Sequence, residues 1–203
     1  MHEQATIQGS KNLVKASTII PAPLRPATFV LVLLLAWTSM FQDSRAGVAA
    51  EGSLEYSVKG AYLLKFGDFV EWPASAFPFT DTPLLITVLG DDPFGPMLDQ
   101  LGKGRAIAGR TVTVRRTSKA EEARNAHILY ISQSERNNLK AILASLQDRN
   151  ILTVADFEHP GIAIAFVIDN DKVRFDVNLD QVEQAGLKVS SKLLGVARTV
   201  RGK

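Results

Sequence analysis

The 203-residue chain contains no cysteine. This absence excludes a disulfide framework, a thiolate nucleophile and every zinc or iron–sulfur site that uses cysteine ligands. An excess of one charge is also missing, since 23 Lys and Arg face 21 Asp and Glu. Nucleic-acid-binding domains usually carry a concentrated basic footprint, and a net charge of +2 does not supply one. The remaining composition, 46% hydrophobic and 22% charged, is typical of a globular protein.

An uncharged stretch, residues 26–42, lies near the amino terminus. It contains the apolar run Phe29–Trp37, with basic residues before it and small residues after it, which is the layout of a secretory signal peptide. Cleavage after Ala46 or after Ala50 fits the small-x-small rule. An uncleaved anchor is disfavoured because Phe29–Phe41 would span only about 20 Å of a hydrocarbon core of about 30 Å. We therefore predict a signal peptide over residues 1–50 and one exported domain over residues 51–203.

The exported domain has an alternating pattern of strands and helices. Four short apolar or alternating runs predict strands, namely Leu84–Leu89, Thr111–Arg116, His127–Ser132 and Ile151–Ala155. Helical segments are predicted between them, at Pro93–Leu101, at Lys119–Asn125 and at Glu135–Gln147. The pattern predicts an α/β fold with a mostly parallel sheet of about four strands flanked by helices. Without the first 50 residues the domain carries 19 basic and 19 acidic residues, so capture of nucleic acid or anionic lipid by net charge is disfavoured.

Both ends of this domain depart from the alternation. A helix is predicted over Glu55–Trp72, ended by Pro73. Ile162–Ile168 and Lys172–Val177 are too close in sequence for a crossover and predict an antiparallel β-hairpin. Terminal helices follow, one capped by Asn178 and stopped at Gly186, the other opened by Ser190 or Ser191 and running over Lys192–Val200.

The carboxyl ends of the predicted strands carry polar residues, and ligands of open parallel sheets bind at such ends. Asp91 and Asp92 suggest either a Mg²⁺ site or a helix cap, and the cap is favoured because the partner residues of metal-dependent receiver domains are missing. A hydrolase triad of Ser132, His159 and Asp156 lacks a Gly-x-Ser-x-Gly elbow. Neither pattern supports an enzyme, a metal site or a cofactor.

Other polar and aromatic groups have both a structural and a functional interpretation. Gly102–Arg105 resembles a phosphate loop in composition but follows a helix, so it predicts a turn. The aromatic set Tyr62, Phe66, Phe69 and Trp72 predicts core packing, with Phe69 or Trp72 as the alternative anchors of a protein interface. The basic set Lys188, Lys192 and Arg198 predicts a solvated helix face or the rim of an interface.

Several segments together resemble the YfiR family of exported bacterial proteins. They are VKGAYLLKFGDFVEWP (residues 58–73), VLGDDPFG (88–95), AHILYIS (126–132), ILTVAD (151–156) and VRFDVNLDQVEQAGLKVSSKLLGVAR (173–198). The likeness spans almost the whole exported domain in the expected order, and its last segment is the most specific.

The resemblance implies a periplasmic, non-enzymatic regulator with a Rossmann-like fold, often a homodimer. Such proteins bind the periplasmic part of an inner-membrane diguanylate cyclase and repress it, and release of the cyclase raises cyclic di-GMP and favours biofilm. An outer-membrane lipoprotein is implied as a further partner. The best-studied branch has cysteines, so redox control does not extend to this chain. By the same resemblance, the partner or ligand surface is expected at Arg174, Asn178, Lys188, Ser190 and Lys192, although Asn178 is equally well explained as a helix cap.

The sequence also allows a second hypothesis about function. The chain would be a periplasmic small-molecule-binding sensor, with a metabolite in the strand-end cleft, that acts on a membrane histidine kinase or another receptor. Under either hypothesis the domain works by binding and needs no catalytic residue.

Overall fold

A computed structural model describes residues 43–147 and 149–202. The predicted signal peptide lies almost wholly outside the described residues, so it stays a prediction. Within the described ranges, no helix combines the length and the apolar character that a membrane crossing requires.

The described residues form a central sheet of eight strands and a separate two-stranded pair. The central sheet contains β2 (Leu84–Leu89), β3 (Ala106–Ile107), β4 (Arg110–Thr117), β5 (Ile128–Ile131), β6 (Leu152–Ala155), β7 (Ile164–Asp169), β8 (Lys172–Asn178) and β10 (Thr199–Arg201). The pair consists of β1 (Val70–Glu71) and β9 (Lys188–Val189), which run antiparallel.

The sheet confirms the α/β class, and it is larger than the four strands predicted. Its order is β10-β8-β7-β6-β5-β2-β4-β3, and the five neighbours β4, β2, β5, β6 and β7 are all parallel. Counted along the chain, these five lie in the order second, first, third, fourth, fifth. That order is the flavodoxin-like arrangement of doubly wound sheets, and the Rossmann arrangement instead has its first strand between the second and the fourth. The Rossmann-like topology expected from the sequence is therefore not found.

The predicted hairpin is confirmed, with β7 and β8 antiparallel and Asp169 opposite Lys172. Its two turn residues, Asn170 and Asp171, have φ angles of 49° and 57°. Two successive positive φ angles define the turn whose twist matches that of paired strands, and Asn and Asp tolerate this conformation.

Five α-helices and three 3₁₀ segments connect the described strands. The helices are α1 (Asp43–Phe69), α2 (Pro96–Gly102), α3 (Leu139–Ser145), α4 (Leu179–Gln184) and α5 (Ser191–Val196). The 3₁₀ segments are Ala74–Ala76, Ala120–Asn125 and Gln133–Asn138, and the last replaces the first four residues of the helix predicted over Glu135–Gln147.

Several other predicted helix boundaries are wrong, and in three cases a tertiary or side-chain contact takes over. The first helix ends at Phe69 instead of Trp72, since Val70–Glu71 pairs with β9. The helix expected from Pro93 begins at Pro96, because Asp92 Oδ1 accepts the Phe94 N–H at 2.8 Å and forms a turn there. The last helix ends at Val196, and the chain continues as β10 beside β8.

The core has two parts, one on each face of the sheet. On one face, Phe66 of α1 packs against Phe166 and Phe175 of the hairpin, with ring centroids 5.7 and 5.1 Å apart. On the other face, α3 contributes Leu139 and Ile142. All four aromatic residues predicted to pack in the core do so: Phe66 is fully buried, and Tyr62, Phe69 and Trp72 are half-buried and pack against the same core. Tyr62 and Phe66 also contact the hairpin rings.

Candidate functional site

The densest buried polar cluster among the described residues is centred on Asp156, directly after β6. Asp156 Oδ2 accepts the hydroxyl protons of Tyr130, at 2.8 Å, and Tyr56, at 2.9 Å. Lys59 Nζ lies 3.5 Å from the same oxygen and 2.5 Å from Glu55 Oε1. Tyr130 comes from β5, whereas Glu55, Tyr56 and Lys59 come from α1. The cluster therefore joins this helix to the carboxyl edge of the sheet.

Burial gives the cluster its unusual electrostatics. Only 5% of the Lys59 side chain and 9% of the Asp156 side chain are exposed. Burial, followed by the neighbouring Asp156, raises the pKa of both Tyr56 and Tyr130 far above the usual tyrosine value. Both hydroxyls therefore stay protonated and act as donors. Asp156 Oδ1 is buried and has no hydrogen-bond partner among the described residues.

Asp156 is indicated by the sequence as a polar residue at a strand end, whereas the residues that surround it are not. Within α1, the apolar residues Ala61 and Val58 are exposed, Val58 to 37%. Lys59 is buried instead, because Asp156 and Glu55 compensate its charge. The spacing of Glu55 and Lys59, four residues apart on one helix, was the available indication of such a pair.

The hydrolase triad is not assembled. Asp156 accepts hydrogen bonds from Lys59, Tyr56 and Tyr130. Ser132 is buried and continues the sheet, since its N–H donates to Leu89 O at 3.0 Å. His159 Nδ1 accepts the Gly161 N–H at 3.0 Å in an exposed loop. No hydrogen bond joins any two of the three proposed triad residues.

The Asp91–Asp92 pair serves the local structure, but the helix cap predicted for it is wrong, because Gly95 is the N-cap residue of α2 and no side chain caps this helix. Asp92 Oδ2 pairs with Arg116 Nε at 2.5 Å, and Arg116 also bridges to Asp99. The Asp91 N–H donates to Ser134 Oγ at 3.0 Å, across the point where the strand order reverses. No group of three or more potential metal ligands is found in the described part of the chain.

The Gly102–Arg105 segment is the turn predicted from the sequence. The Lys103 N–H closes the end of α2 by donating to Asp99 O at 2.9 Å. Arg105 Nη2 pairs with Asp68 Oδ2 of α1 at 2.7 Å.

Three of the predicted partner or ligand residues have clear structural roles. The Asn178 and Ser190 side chains cap α4 and α5, each accepting a backbone N–H at 3.4 Å. Arg198 donates to both carboxylate oxygens of Asp176, at 2.8 and 2.5 Å, and also contacts Glu158. This guanidinium holds the pKa of Asp176 below its usual range.

Four of the other predicted residues lie at the small β1–β9 sheet or beside it. The Ser190 N–H donates to Phe69 O at 2.9 Å, and Lys188 lies opposite Glu71. Lys188 and Lys192 are exposed, whereas Phe69 and Trp72 are half-buried. Trp72 Nε1 is buried and has no hydrogen-bond partner among the described residues. Arg174, also exposed, lies apart from this group on β8 of the central sheet.

We name the β1–β9 pair, which includes Lys188, together with the adjacent Phe69, Trp72 and Lys192, the β1–β9 surface. Its two lysines have no ion pair with any described residue. Aromatic residues are enriched in protein interfaces and the rim of an interface is polar, so the rings and the two exposed lysines are compatible with an interface there.

Comparison with known proteins identifies a family model that matches most of the chain. The family model described as YfiR/HmsC-like matches residues 56–198. No curated protein matches the chain.

Two solved structures show a weak overall likeness. One is the ABC domain from Streptococcus pneumonia in complex with L-Trp, with a TM-score of 0.44, 10% identity and 59% of this chain covered. The other is a conserved domain protein from Vibrio cholerae O1 biovar eltor, with a TM-score of 0.43, 10% identity and 58% covered. The present chain spans 55% of the length of each.

Proposed function

Because this chain belongs to the YfiR/HmsC-like family, whose members are periplasmic regulators, we propose that it binds the periplasmic part of an inner-membrane diguanylate cyclase and represses it. The observation that carries the proposal is the family match over residues 56–198, which includes the whole central sheet up to the start of β10. Repression would lower cyclic di-GMP and oppose biofilm formation. A signal peptide over residues 1–50, a homodimer and an outer-membrane lipoprotein partner belong to the same proposal.

The proposed action needs binding alone. A repressor shifts its target only by the difference between its affinities for the silent and the active conformation. A preference of about 2.7 kcal/mol for the silent conformation changes the ratio of the two states about a hundredfold. In this proposal the buried Asp156 cluster has a structural role, because its groups hold α1 against the sheet.

We propose the β1–β9 surface as the contact area for the membrane partner. Lys188 and Lys192 would form its charged rim and steer an acidic partner surface. The half-buried Phe69 and Trp72 would provide the apolar contact.

The test is a binding measurement between the exported domain and the periplasmic part of a membrane cyclase encoded beside it. Lys188→Glu with Lys192→Glu is expected to weaken binding at least about tenfold, which is about 1.4 kcal/mol. The matched control is Lys103→Glu, which reverses the charge of an exposed lysine in the turn after α2. Loss of binding in the control alone would contradict the assigned surface, and no binding by the unmodified domain would contradict the function.

A cellular measurement completes the test. Deletion of the gene should raise cyclic di-GMP, and the double lysine variant should fail to restore the low level although it reaches the periplasm in normal amount.

A further inference from the structure

A cavity of about 460 Å³ opens at the amino ends of β2, β5 and β6, whereas the Asp156 cluster lies at the carboxyl ends of the strands. Three arginines from three separate segments line it, namely Arg115 of β4, Arg124 of the 3₁₀ segment Ala120–Asn125, and Arg149, which precedes β6. The volume lies within the range of about 300–1,000 Å³ that small-molecule sites occupy.

These arginines differ from most others in the described chain. Five arginines bond to carboxylates or backbone carbonyls, namely Arg105, Arg110, Arg116, Arg198 and Arg201. Arg136 lies over the Phe157 ring, 5.4 Å from its centroid. By contrast, four guanidiniums, those of Arg115, Arg124, Arg149 and Arg174, make no hydrogen bond or ion pair with any described residue. Three of these four face the same cavity.

The described residues that line the cavity with these arginines include no carboxylate. Glu122 is attracted by Arg115 at longer range, but Glu122 Oε2 already accepts the Thr117 hydroxyl at 2.7 Å. His127, on the cavity wall, adds no charge. Its Nδ1 accepts the Leu85 N–H at 3.0 Å, which leaves the proton on Nε2, 3.1 Å from Ala76 O, and burial lowers its pKa. The positive charge around the cavity is therefore uncompensated by the residues that line it.

One wall of the cavity is held in place before any ligand arrives. The loop between β1 and β2 contributes Ser75, Ala76, Pro78 and Thr82. Arg110 Nη1 donates to three carbonyl oxygens of this loop, at 2.8 to 3.2 Å, and its guanidinium lies 3.9 Å from the centroid of the Phe77 ring. A wall that is already ordered reduces the entropy lost on binding.

We propose that this cavity binds an oxyanion, a phosphate or carboxylate group, held by Arg115, Arg124 and Arg149. The planar guanidinium fork matches the oxygens of both groups and forms charge-assisted hydrogen bonds with them. Bound oxyanion would also relieve the mutual repulsion of the three arginines. The hydroxyl groups of Ser75 and Thr113, also in the lining, provide further donors.

The experiment measures the thermal stability of the full chain with inorganic phosphate as the probe, against sodium chloride of equal ionic strength. At ten times its dissociation constant, a ligand specific for the native state raises the ratio of folded to unfolded protein about elevenfold. The variant with Arg115, Arg124 and Arg149 all changed to Gln should lose this stabilisation. Arg174→Gln is the matched control, since it removes a guanidinium that is likewise exposed and unpaired among the described residues but lies away from the cavity.

All three arginines are exposed, so their replacement should leave folding intact. A second arm uses phosphatidylcholine vesicles with and without phosphatidylglycerol, to separate a lipid headgroup from a free anion. A rise in thermal stability with phosphate or with the anionic vesicles that depends on the three arginines supports the site. Which of the two probes gives the rise identifies the source of the oxyanion, a free anion or a lipid headgroup. Equal loss in the Arg174→Gln control, or no gain over sodium chloride and over neutral vesicles, overturns the proposal.

Discussion

Replacing Lys59 by Met should destabilise the domain more than any change to an exposed lysine of the same helix. The Lys59 side chain is 5% exposed and its closest acidic groups are Glu55 and Asp156. Methionine keeps the length of the apolar stem but removes the charge, so the Asp156 carboxylate stays buried without its cation.

The magnitude follows from what remains around Asp156. Removing one partner of a buried ion pair usually costs about 3–5 kcal/mol. The Tyr56 and Tyr130 hydroxyls still donate to Asp156 Oδ2, so we expect the lower limit, about 3 kcal/mol. For a urea dependence of about 2 kcal/mol per molar, the midpoint falls by about 1.5 M.

The assay is urea unfolding followed by circular dichroism, with two further variants. Lys65→Met is the matched control, because the Lys65 side chain is 56% exposed and its ion pair with Asp68 should contribute less than about 1 kcal/mol. Combining Lys59→Met with Asp156→Asn removes both charges and should recover part of the loss. Equal midpoints for Lys59→Met and Lys65→Met, or no recovery in the double variant, would refute the reasoning.

Two further predictions concern single buried or strained positions. Burial lowers the folded-state pKa of His127 below its unfolded value of about 6.5, so the unfolded chain takes up a proton first and the free energy of unfolding should fall as the pH drops below about 6.5. His127→Gln should flatten this pH dependence in unfolding curves taken between pH 7 and pH 5. An unchanged slope would contradict the assignment. Gly90 has a φ of +89°, and a Cβ there would lie 2.5 Å from Ser134 Oγ, whereas Gly109 has a φ of +76° with no atom within 4 Å. Gly90→Ala should therefore lower the melting temperature more than Gly109→Ala, by about 1–3 kcal/mol in free energy of unfolding, and equal effects would show that the Ser134 contact imposes no cost.

The elements that the sequence predicted best are those whose pattern depends on burial alone. Leu84–Leu89 was predicted with the observed bounds, because an unbroken β-branched run is typical of a strand buried on both faces. The hairpin was predicted because Ile162–Ile168 and Lys172–Val177 leave no room for a crossover. Both caps, Asn178 and Ser190, follow from local hydrogen bonding and are confirmed.

What the sequence could not predict depends on distant partners. The strands β1, β9 and β10 have two or three residues each and exist because other segments lie beside them. Such short segments carry no periodicity of their own. The burial of Lys59 could not be predicted, because lysine side chains are usually exposed. Only the fold brings Asp156, 97 residues away in sequence, close enough to compensate the lysine charge. The three cavity arginines come from segments that the sequence separates widely and the strand order brings together.

Strand β10 affects how readily a second molecule can pair with β8. It pairs in parallel with β8 along Asp176–Asn178, and Arg198 and Arg201 fasten it to Asp176 and Glu158. A chain cut after Val196 would leave that margin of β8 uncovered, with amide and carbonyl groups ready to recruit a strand from a second molecule. β10 therefore covers the Asp176–Asn178 part of the β8 margin, and its removal should favour association of the domain through this part of the sheet.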